Sequence, residues 1–182
     1  MDDRLTRGRK SGIVAASSEQ GNPAIKIRDA KRADGHTIAD FNSRLAAETE
    51  ARVLDTNRIG PGVDAVLGDP AKGRYWVAEE GQQVIGQIMV TYEWSDWRNG
   101  MIWWIQSVYV DPEHRRSGVF SALYRHVELL AKSAPDVCGL RLYVESGNTR
   151  AQATYKSLGM ADTGYRVLEA MFTNESADQG VS

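Results

Sequence analysis

A short basic segment that ends in glycine is the part of the sequence best suited to hold an anion. Arg115, Arg116 and Ser117 stand directly before Gly118, where a strand-like run gives way to a helical pattern. Backbone amides converge at such a turn and the helix N-terminus adds positive potential, so a phosphate or pyrophosphate fits there. Glycine lets the backbone approach the anion closely, and arginine can add charge-assisted contacts. On this segment alone, a solvated basic turn is the alternative.

A second segment carries polar residues in a fixed order. A strand-like run from 140 to 145 is followed by Asn148, and a short helical pattern with Tyr155 then ends at Gly159. The asparagine can cap that helix or hold an extended ligand, and the pattern leaves both roles open. The tyrosine hydroxyl offers one proton donor, while packing on an amphipathic helix is the alternative role of the ring. Each segment alone is weak evidence for a ligand site, whereas the two segments in this order are strong evidence for one.

Together the two segments resemble the cofactor site of the GNAT superfamily of N-acetyltransferases. The family's pyrophosphate signature has Gln or Arg, two variable residues, Gly, a variable residue and then Gly or Ala. Arg115 and Gly118 match it, and Phe120 stands at the last position. The resemblance covers roughly Ala24 to Phe172. The residues that it implies for cofactor binding are Val108, Tyr109, Val110, Arg115, Arg116, Ser117, Gly118, Val119, Phe120, Ser121, Asn148 and Tyr155.

The resemblance implies an activity as well as a site. The expected reaction moves an acetyl group from acetyl-CoA, without a metal, to a primary amine by direct attack through a tetrahedral intermediate. Tyr155 matches the family tyrosine near the cofactor sulfur and is expected to protonate the leaving thiolate. The backbone N–H of Val108 or Val110 is expected to stabilise the oxyanion, provided that a bulge leaves it unpaired.

The general base is assigned to Glu93, at the end of a strand-like run. Several family members carry a base glutamate on the next strand, but Trp104 occupies that position here. Glu93 can deprotonate an amine directly or through water. Asp96 and Glu145 are alternatives, and each of these carboxylates can equally be a solvated surface group.

Four tryptophans crowd into eleven positions around one loop, from Trp94 to Trp104. Aromatic faces there can hold an apolar or cationic amine. Trp103 and Trp104 are expected to pack on opposite faces of a sheet, and Trp94 and Trp97, with Glu145, are assigned to the acceptor. The acceptor is expected to be a small-molecule or peptide amine of unknown identity. A catalytically silent acyl-CoA-binding regulatory or interaction domain is the alternative function.

The elements that must position these residues follow from hydrophobic periodicity. Asp34 is expected to cap a first helix through Ile38 to Val53, and Pro61 to open a second that closes at Gly68. Helices after Gly118 and at 149–158 complete the order β-α-α-β-β-β-α-β-α-β, a GNAT-like mixed and mostly antiparallel sheet flanked by helices. The predicted strands are Ala24–Arg28, Tyr75–Ala78, Val84–Glu93, Met101–Val110, Gly139–Glu145 and Tyr165–Phe172.

Composition sets the broad class. The 182 residues are 42% hydrophobic and 25% charged with a formal net charge of -2, which is typical of a globular protein without general affinity for nucleic acid or membranes. Cys138 is the single cysteine, so no internal disulfide forms; it suits a reducing cytoplasm and is expected in the core. The predicted organisation is a flexible leader (1–23), one acetyltransferase domain (24–173) and a flexible tail (174–182), with a homodimer left open.

Overall fold

The computed structural model describes residues 24 to 172, so the predicted leader and tail lie outside the described residues. The strands are β1 (Lys26–Asp29), β2 (Arg74–Glu80), β3 (Gln83–Ser95), β4 (Gly100–Val110) and β5 (Val137–Leu142). The helices are α1 (Gly35–Glu50), α2 (Thr56–Gly68), α3 (Val119–Ser133) and α4 (Thr149–Ser157). The chain divides into two compact units, one ending at Leu142 and one beginning at Tyr143. The single domain expected over 24–173 stays a prediction.

The five strands form one sheet in chain order. β1 to β4 are antiparallel neighbours, and β5 runs parallel to β4 after the α3 crossover. The predicted mixed, mostly antiparallel sheet is therefore confirmed. The pairing of β3 with β4 shifts: Ile88 pairs with Val108 and Val90 with Ile105, so β4 has one extra residue at 106–107. This is a β-bulge, which locally disrupts the hydrogen-bond ladder.

Apolar residues cover both faces of the sheet. On one face, Ile38 of α1 and Val63 of α2 form a buried cluster with Tyr75 and Val77 of β2. On the other face, α3 buries residues at helical spacing, and its His126 contacts Trp76. Trp76 also stacks on Trp103 at 6.1 Å, whereas Trp104 contacts Glu93. Alternation along β4 thus places the two tryptophans on opposite faces, as predicted.

The first helix begins differently from the prediction. Asp34 occupies the N-cap position of α1, but its side chain accepts hydrogen bonds from Arg28 Nη1 and Lys31 N, both at 2.7 Å. The hydrogen bond from Arg28 lowers the pKa of Asp34 despite burial, so a charged partner takes the place of the helix amides. α1 also ends earlier than expected, at Glu50, and Val53 is exposed beyond it.

The second helix begins five residues before the expected start. Asp55 caps α2 by accepting from Asn57 N at 2.9 Å, and Pro61 lies inside the helix. The side-chain cap sets the helix start, because it satisfies an amide that would otherwise have no partner. Cys138 was also expected elsewhere: it is exposed, since it lies on the edge strand β5.

The last predicted strand does not form among the described residues. Residues from Tyr165 to Phe172 have no regular structure and remain exposed. A single extended segment has no partner for its N–H and C=O groups, and the described part of the second unit contains only α4 as a regular element. Alternation alone therefore predicted a strand wrongly here. Within residues 24 to 172, no helix combines the length and apolar character needed to cross a bilayer.

Candidate active site

The loop between β4 and α3 carries a row of backbone N–H groups that lack protein acceptors. Arg116 and Gly118 have left-handed φ angles of 68° and 88°, so the chain turns sharply twice within three residues. Among the residues that the structure describes, the amides from Arg116 to Val119 donate to no protein acceptor. Gly118 is the N-cap of α3 and makes no side-chain cap. This open helix start has the donors and the positive potential that an anion requires.

Gly118 leaves room for a ligand beside this helix start. A Cβ placed there would meet no heavy atom within 4 Å. The glycine is therefore required by its φ of 88° and not by a close neighbour in the protein. The loop presents open space next to its unpaired amides, as a bound pyrophosphate would need.

Within residues 24 to 172, the carboxyl half of β4 pairs only with β3 and so has an open edge. β5 ends at Leu142, which pairs with Ile105, and β4 continues beyond that pair. We call this point the fork. Asp111 N donates to Ile85 O at 2.9 Å, so alternation points the N–H groups of Val108 and Val110 away from β3 and toward the open edge. The bulge at 106–107 adjoins the fork, and the role of these N–H groups as oxyanion donors stays a prediction.

Glu93 joins three strands at the fork. Its carboxylate accepts from Trp104 Nε1 of β4 and from Arg141 Nη1 of β5, at 2.9 and 3.1 Å to the two oxygens. The guanidinium carbon of Arg141 also lies 5.6 Å from the Trp104 ring. The Trp104–Arg141 pair is the last before Ile105 and Leu142. The predicted base is therefore a half-buried carboxylate held beside the fork on the face opposite α3.

Arg115, assigned to the cofactor, is held by protein groups. Its Nε donates to Val110 O at 2.9 Å and its Nη2 to Glu48 of α1 at 2.7 Å. Tyr109 is buried, lies under the guanidinium and donates its hydroxyl to Glu48 at 2.9 Å. Burial would raise the pKa of Glu48, but the bonds from Arg115 and Tyr109 outweigh burial and lower it. Burial and then Glu48 raise the pKa of Tyr109, so its hydroxyl stays protonated and a donor at neutral pH.

The remaining residues of the signature divide between core and loop. Val119 is buried, and the Phe120 ring lies 6.2 Å from the ring of Tyr124, one turn along α3. The bulky residue at the last signature position therefore packs along its own helix. Ser117 donates its hydroxyl to His114 O at 2.6 Å, which braces the loop from within. Ser121 is half-buried on the first turn of α3.

The second unit places its predicted residues around α4. Asn148 accepts from Ala151 N at 3.0 Å, so it caps the helix, one of the two roles left open. Tyr155 is half-buried near the end of α4. Glu145 has an exposed side chain, and its carbonyl accepts from Gln152 Nε2 at 3.0 Å. The catalytic role of Tyr155 and the substrate role of Glu145 stay predictions.

The loop tryptophans lie at the β3–β4 hairpin, at the end of β4 farther from the fork. Trp94 is 56% and Trp97 86% exposed. Trp94 pairs with Met101, which strand rise places about 16 Å from Gln106. Asp96 accepts from Trp97 N at 2.8 Å within the turn. An acceptor that contacts these tryptophans must extend along the sheet, and their assignment to the acceptor stays a prediction.

Two important residues escaped the sequence patterns. Glu48 stands 67 positions from Arg115, and its neighbours in the sequence are ordinary for a helix end. Only the packing of α1 against β4 brings the two together. Arg141 gave a readable signal, a charge between Leu140 and Leu142 in a strand, which favours a polar partner on that face. Among residues 24 to 172, no cluster of three or more metal-ligating side chains is present.

Comparison with known proteins agrees with the fold. A sequence profile of the Acetyltransferase (GNAT) family matches residues 38–160. The chain belongs to this family. A solved structure of a possible acetyltransferase from Clostridium difficile 630 has a TM-score of 0.78 and 47% identity. The match covers 82% of the present chain and 98% of the Clostridium difficile chain.

More distant relatives act on different molecules, according to their names. Thialysine N-epsilon-acetyltransferase of Bos taurus is 28% identical over 148 residues, which cover 81% of this chain and 72% of the relative. A ribosomal-protein-alanine N-acetyltransferase from Brucella melitensis biovar Abortus 2308 has a TM-score of 0.63 at 17% identity, covering 81% of this chain and 100% of that chain. At that identity the likeness shows the fold alone. Acetyl transfer is thus the activity of the family.

Proposed function

We propose that this protein transfers an acetyl group from acetyl-CoA to a primary amine by direct attack on the thioester carbonyl. The observation that carries the proposal is the row of unpaired amides from Arg116 to Val119 at the uncapped start of α3. Amides at a helix start suit a pyrophosphate, because several N–H groups and the positive end of the helix act on the same anion. The open space beside Gly118 supports the same ligand.

The reacting carbonyl is proposed to lie along the open edge of β4. As the amine attacks, the carbonyl oxygen becomes an oxyanion and the carbon becomes tetrahedral. The N–H of Val108 or Val110 donates to that oxygen, and its strand holds it in place before the reaction. Because the donor is fixed in advance, little reorganisation opposes the developing charge.

Two side chains are proposed to move protons. Glu93 accepts the proton of the attacking amine through water, since Trp104 and Arg141 already contact its carboxylate. Tyr155 donates its hydroxyl proton to the sulfur as the carbon–sulfur bond breaks and the tetrahedral carbon returns to an amide. The products are an acetylated amine and CoA with a free thiol.

The acceptor is proposed to carry its amine on a small molecule or on a peptide side chain. The name of the bovine relative supports an amine at the end of an amino-acid side chain. Trp94, Trp97 and Glu145 are proposed to contact the acceptor beyond the reacting nitrogen. The single cysteine suits a reducing cytoplasm, which we propose as the location.

A second candidate is a silent acyl-CoA-binding domain, and one observation favours it. Both oxygens of Glu93 accept from Arg141, so the assigned base is partly occupied by a cation. A silent domain would bind CoA without turning over any amine. An enzyme would release CoA thiol only in the presence of the right acceptor.

The test measures CoA release from acetyl-CoA with thialysine, lysine, a polyamine, an aminoglycoside and a lysine-containing peptide. Cys138 is exposed, so the thiol assay uses Cys138→Ser as the enzyme or subtracts an enzyme blank. CoA should raise the thermal midpoint, because a ligand at 100 times its Kd adds about 2.7 kcal/mol of stability. Failure to bind CoA at millimolar concentration would sink the proposal. Binding without turnover across the panel would favour the silent domain.

A further inference from the structure

Glu48 lies on the last turn of α1 and joins β4 to the loop that follows it. One carboxylate oxygen accepts from Tyr109 of β4 at 2.9 Å, and the other accepts from Arg115 at 2.7 Å. Tyr109 belongs to the strand that bears the oxyanion donors, and Arg115 belongs to the loop that bears the free amides. A single side chain of α1 therefore holds both parts in one arrangement.

The Arg115 guanidinium is fixed from three directions. Glu48 binds its Nη2, Val110 O accepts from its Nε, and the Tyr109 ring lies 5.4 Å from its central carbon. The next residue, Arg116, has a left-handed φ of 68° although it is not glycine. Such a conformation is strained for a residue other than glycine and persists only where neighbouring contacts impose it. The contacts of Arg115 are the ones that lie directly before it.

A second tie reaches the start of the same loop. Arg44, one turn before Glu48 on α1, contacts Asp111 Oδ2 at 3.3 Å and Asp40 Oδ2 at 2.9 Å. Asp111 in turn accepts from Glu113 N at 3.1 Å and so shapes the first turn of the loop. α1 thus holds the loop at its beginning and in its middle, while the amides that follow stay free.

We propose that Glu48 is a positioning residue that, through Arg115, sets the turn at Arg116 before acetyl-CoA binds. The inference rests on the proposed function, since it assigns the amides of that turn to the cofactor. In this arrangement Arg115 acts on the loop and the amides act on the pyrophosphate. An arranged loop binds more tightly because less ordering is lost on binding. Removing Glu48 should therefore weaken cofactor binding and leave the chemical step nearly unchanged.

The experiment compares Glu48→Ala and Glu48→Gln with Glu50→Ala, a control two residues along the same helix end. Glu48→Ala should raise the KM for acetyl-CoA about tenfold and change kcat less than about twofold, a split typical of lost ground-state binding. Glu48→Gln keeps the size and one acceptor, so a smaller increase is expected. The control should match the wild type. An acetyl-CoA KM that is equal in all four proteins would overturn the proposal.

Hydrogen–deuterium exchange of the free protein separates this inference from the proposed function. Peptides that span residues 111–118 should exchange faster in Glu48→Ala than in Glu50→Ala, with β2 and β3 unchanged. Exchange that is unchanged in the loop contradicts the positioning role, whatever the activity. Wild-type protein that binds no CoA contradicts the proposed function, while the exchange result still decides whether Glu48 orders the loop. The double variant Glu48→Arg/Arg115→Glu reverses the ion pair. Its residues 111–118 should be better protected from hydrogen exchange than those of Glu48→Ala.

Discussion

The starts of α3 and α4 differ in whether a side chain accepts a hydrogen bond from their first N–H groups. Every helix begins with N–H groups that have no partner within the helix. At α4, Asn148 accepts from Ala151 N and the chain satisfies its own helix start. At α3, Gly118 has no side chain to offer, and the neighbouring Ser117 donates to His114 O instead. The start of α3 therefore keeps amides that a ligand could bind, whereas a side chain of the protein caps the start of α4.

The difference shows what an anion site requires beyond a helix N-terminus. A missing cap costs about 1 kcal/mol, so α3 must gain stability elsewhere. Val119, Leu123 and Val127 are fully buried on one face of α3, and each contributes roughly 1.5–3 kcal/mol by burial. The packing of α3 thus offsets the open start. In the second unit, the residue with a proposed catalytic role is Tyr155, whose side chain and not its backbone amide would act.

Closing the open start should give the largest effect. Gly118→Val places a β-branched residue at a φ of 88°, which costs roughly 3 kcal/mol, or about 150-fold in kcat/KM for acetyl-CoA. Gly118→Ala should lose less, because its strain is smaller and no atom lies near its Cβ. Gly60→Ala, at a helix position with equally open space, is the control and should retain full activity. A Val variant with wild-type KM would show that the amides of this loop do not bind the cofactor.

Tyr155→Phe tests the proposed proton donor on α4. Loss of a proton donor to the thiolate should lower kcat about 100-fold, while the KM for acetyl-CoA stays within a factor of about two. Steady-state kinetics with the best acceptor of the panel measure both constants. If kcat and cofactor binding fall together, the ring packs α4 and the proton comes from elsewhere.

Glu93→Gln should have a smaller effect, about tenfold on kcat, because water can replace part of the base function. The defect should shrink from pH 7 to 9.5, since a primary amine with a pKa near 10 then loses its own proton more often. A defect that is constant across this range would indicate that Glu93 only holds Trp104 and Arg141 at the fork. Asp96 is a carboxylate in the hairpin turn, and Asp96→Asn should change neither kcat nor the KM for the amine.

The elements followed from the sequence where periodicity reflects a buried face. The alternation of β3 and β4 and the helical spacing of α3 gave correct types and near-correct bounds, because each buries one side against a neighbour. Helix starts failed where a side chain had a stronger partner, as Asp34 has in Arg28. The last strand failed because alternation reports which residues are apolar and not whether an edge is available to pair with.

The candidate site could be proposed from the sequence where its residues lie close together in the chain. Gly118 and the amides around it lie within one turn, so residue types alone indicated an anion. The oxyanion assignment required a bulge in β4, but the sequence did not predict its position, because the register depends on both strands. Glu48 and Arg141 were missed as partners because their contacts join residues that only the folded sheet brings together.

Substitutions of Asn148 test whether this residue caps α4 or binds the cofactor. Asn148→Ala removes the cap of α4 and should lower stability by about 1 kcal/mol, whereas Asn148→Asp keeps a capping oxygen and should retain it. Chemical denaturation measures both. The KM for acetyl-CoA should change less than about twofold in the alanine variant, because a cap acts on the helix and not on the ligand. A tenfold rise would assign Asn148 to the extended arm of the cofactor.

Trp97→Ala is expected to have the smallest effect with small acceptors. Trp97 lies in the hairpin beyond Trp94, which is itself about five residues, or ~16 Å, along the strand from the bulge. A short amine that reacts at the fork cannot reach it, so kcat/KM for lysine should stay within about twofold of wild type. A lysine-containing peptide can lie along the sheet, and removing an aromatic contact to it should raise its KM several-fold. A loss with lysine as large as the loss with the peptide would place the hairpin beside the reacting amine, against the separation of the two ends of β4.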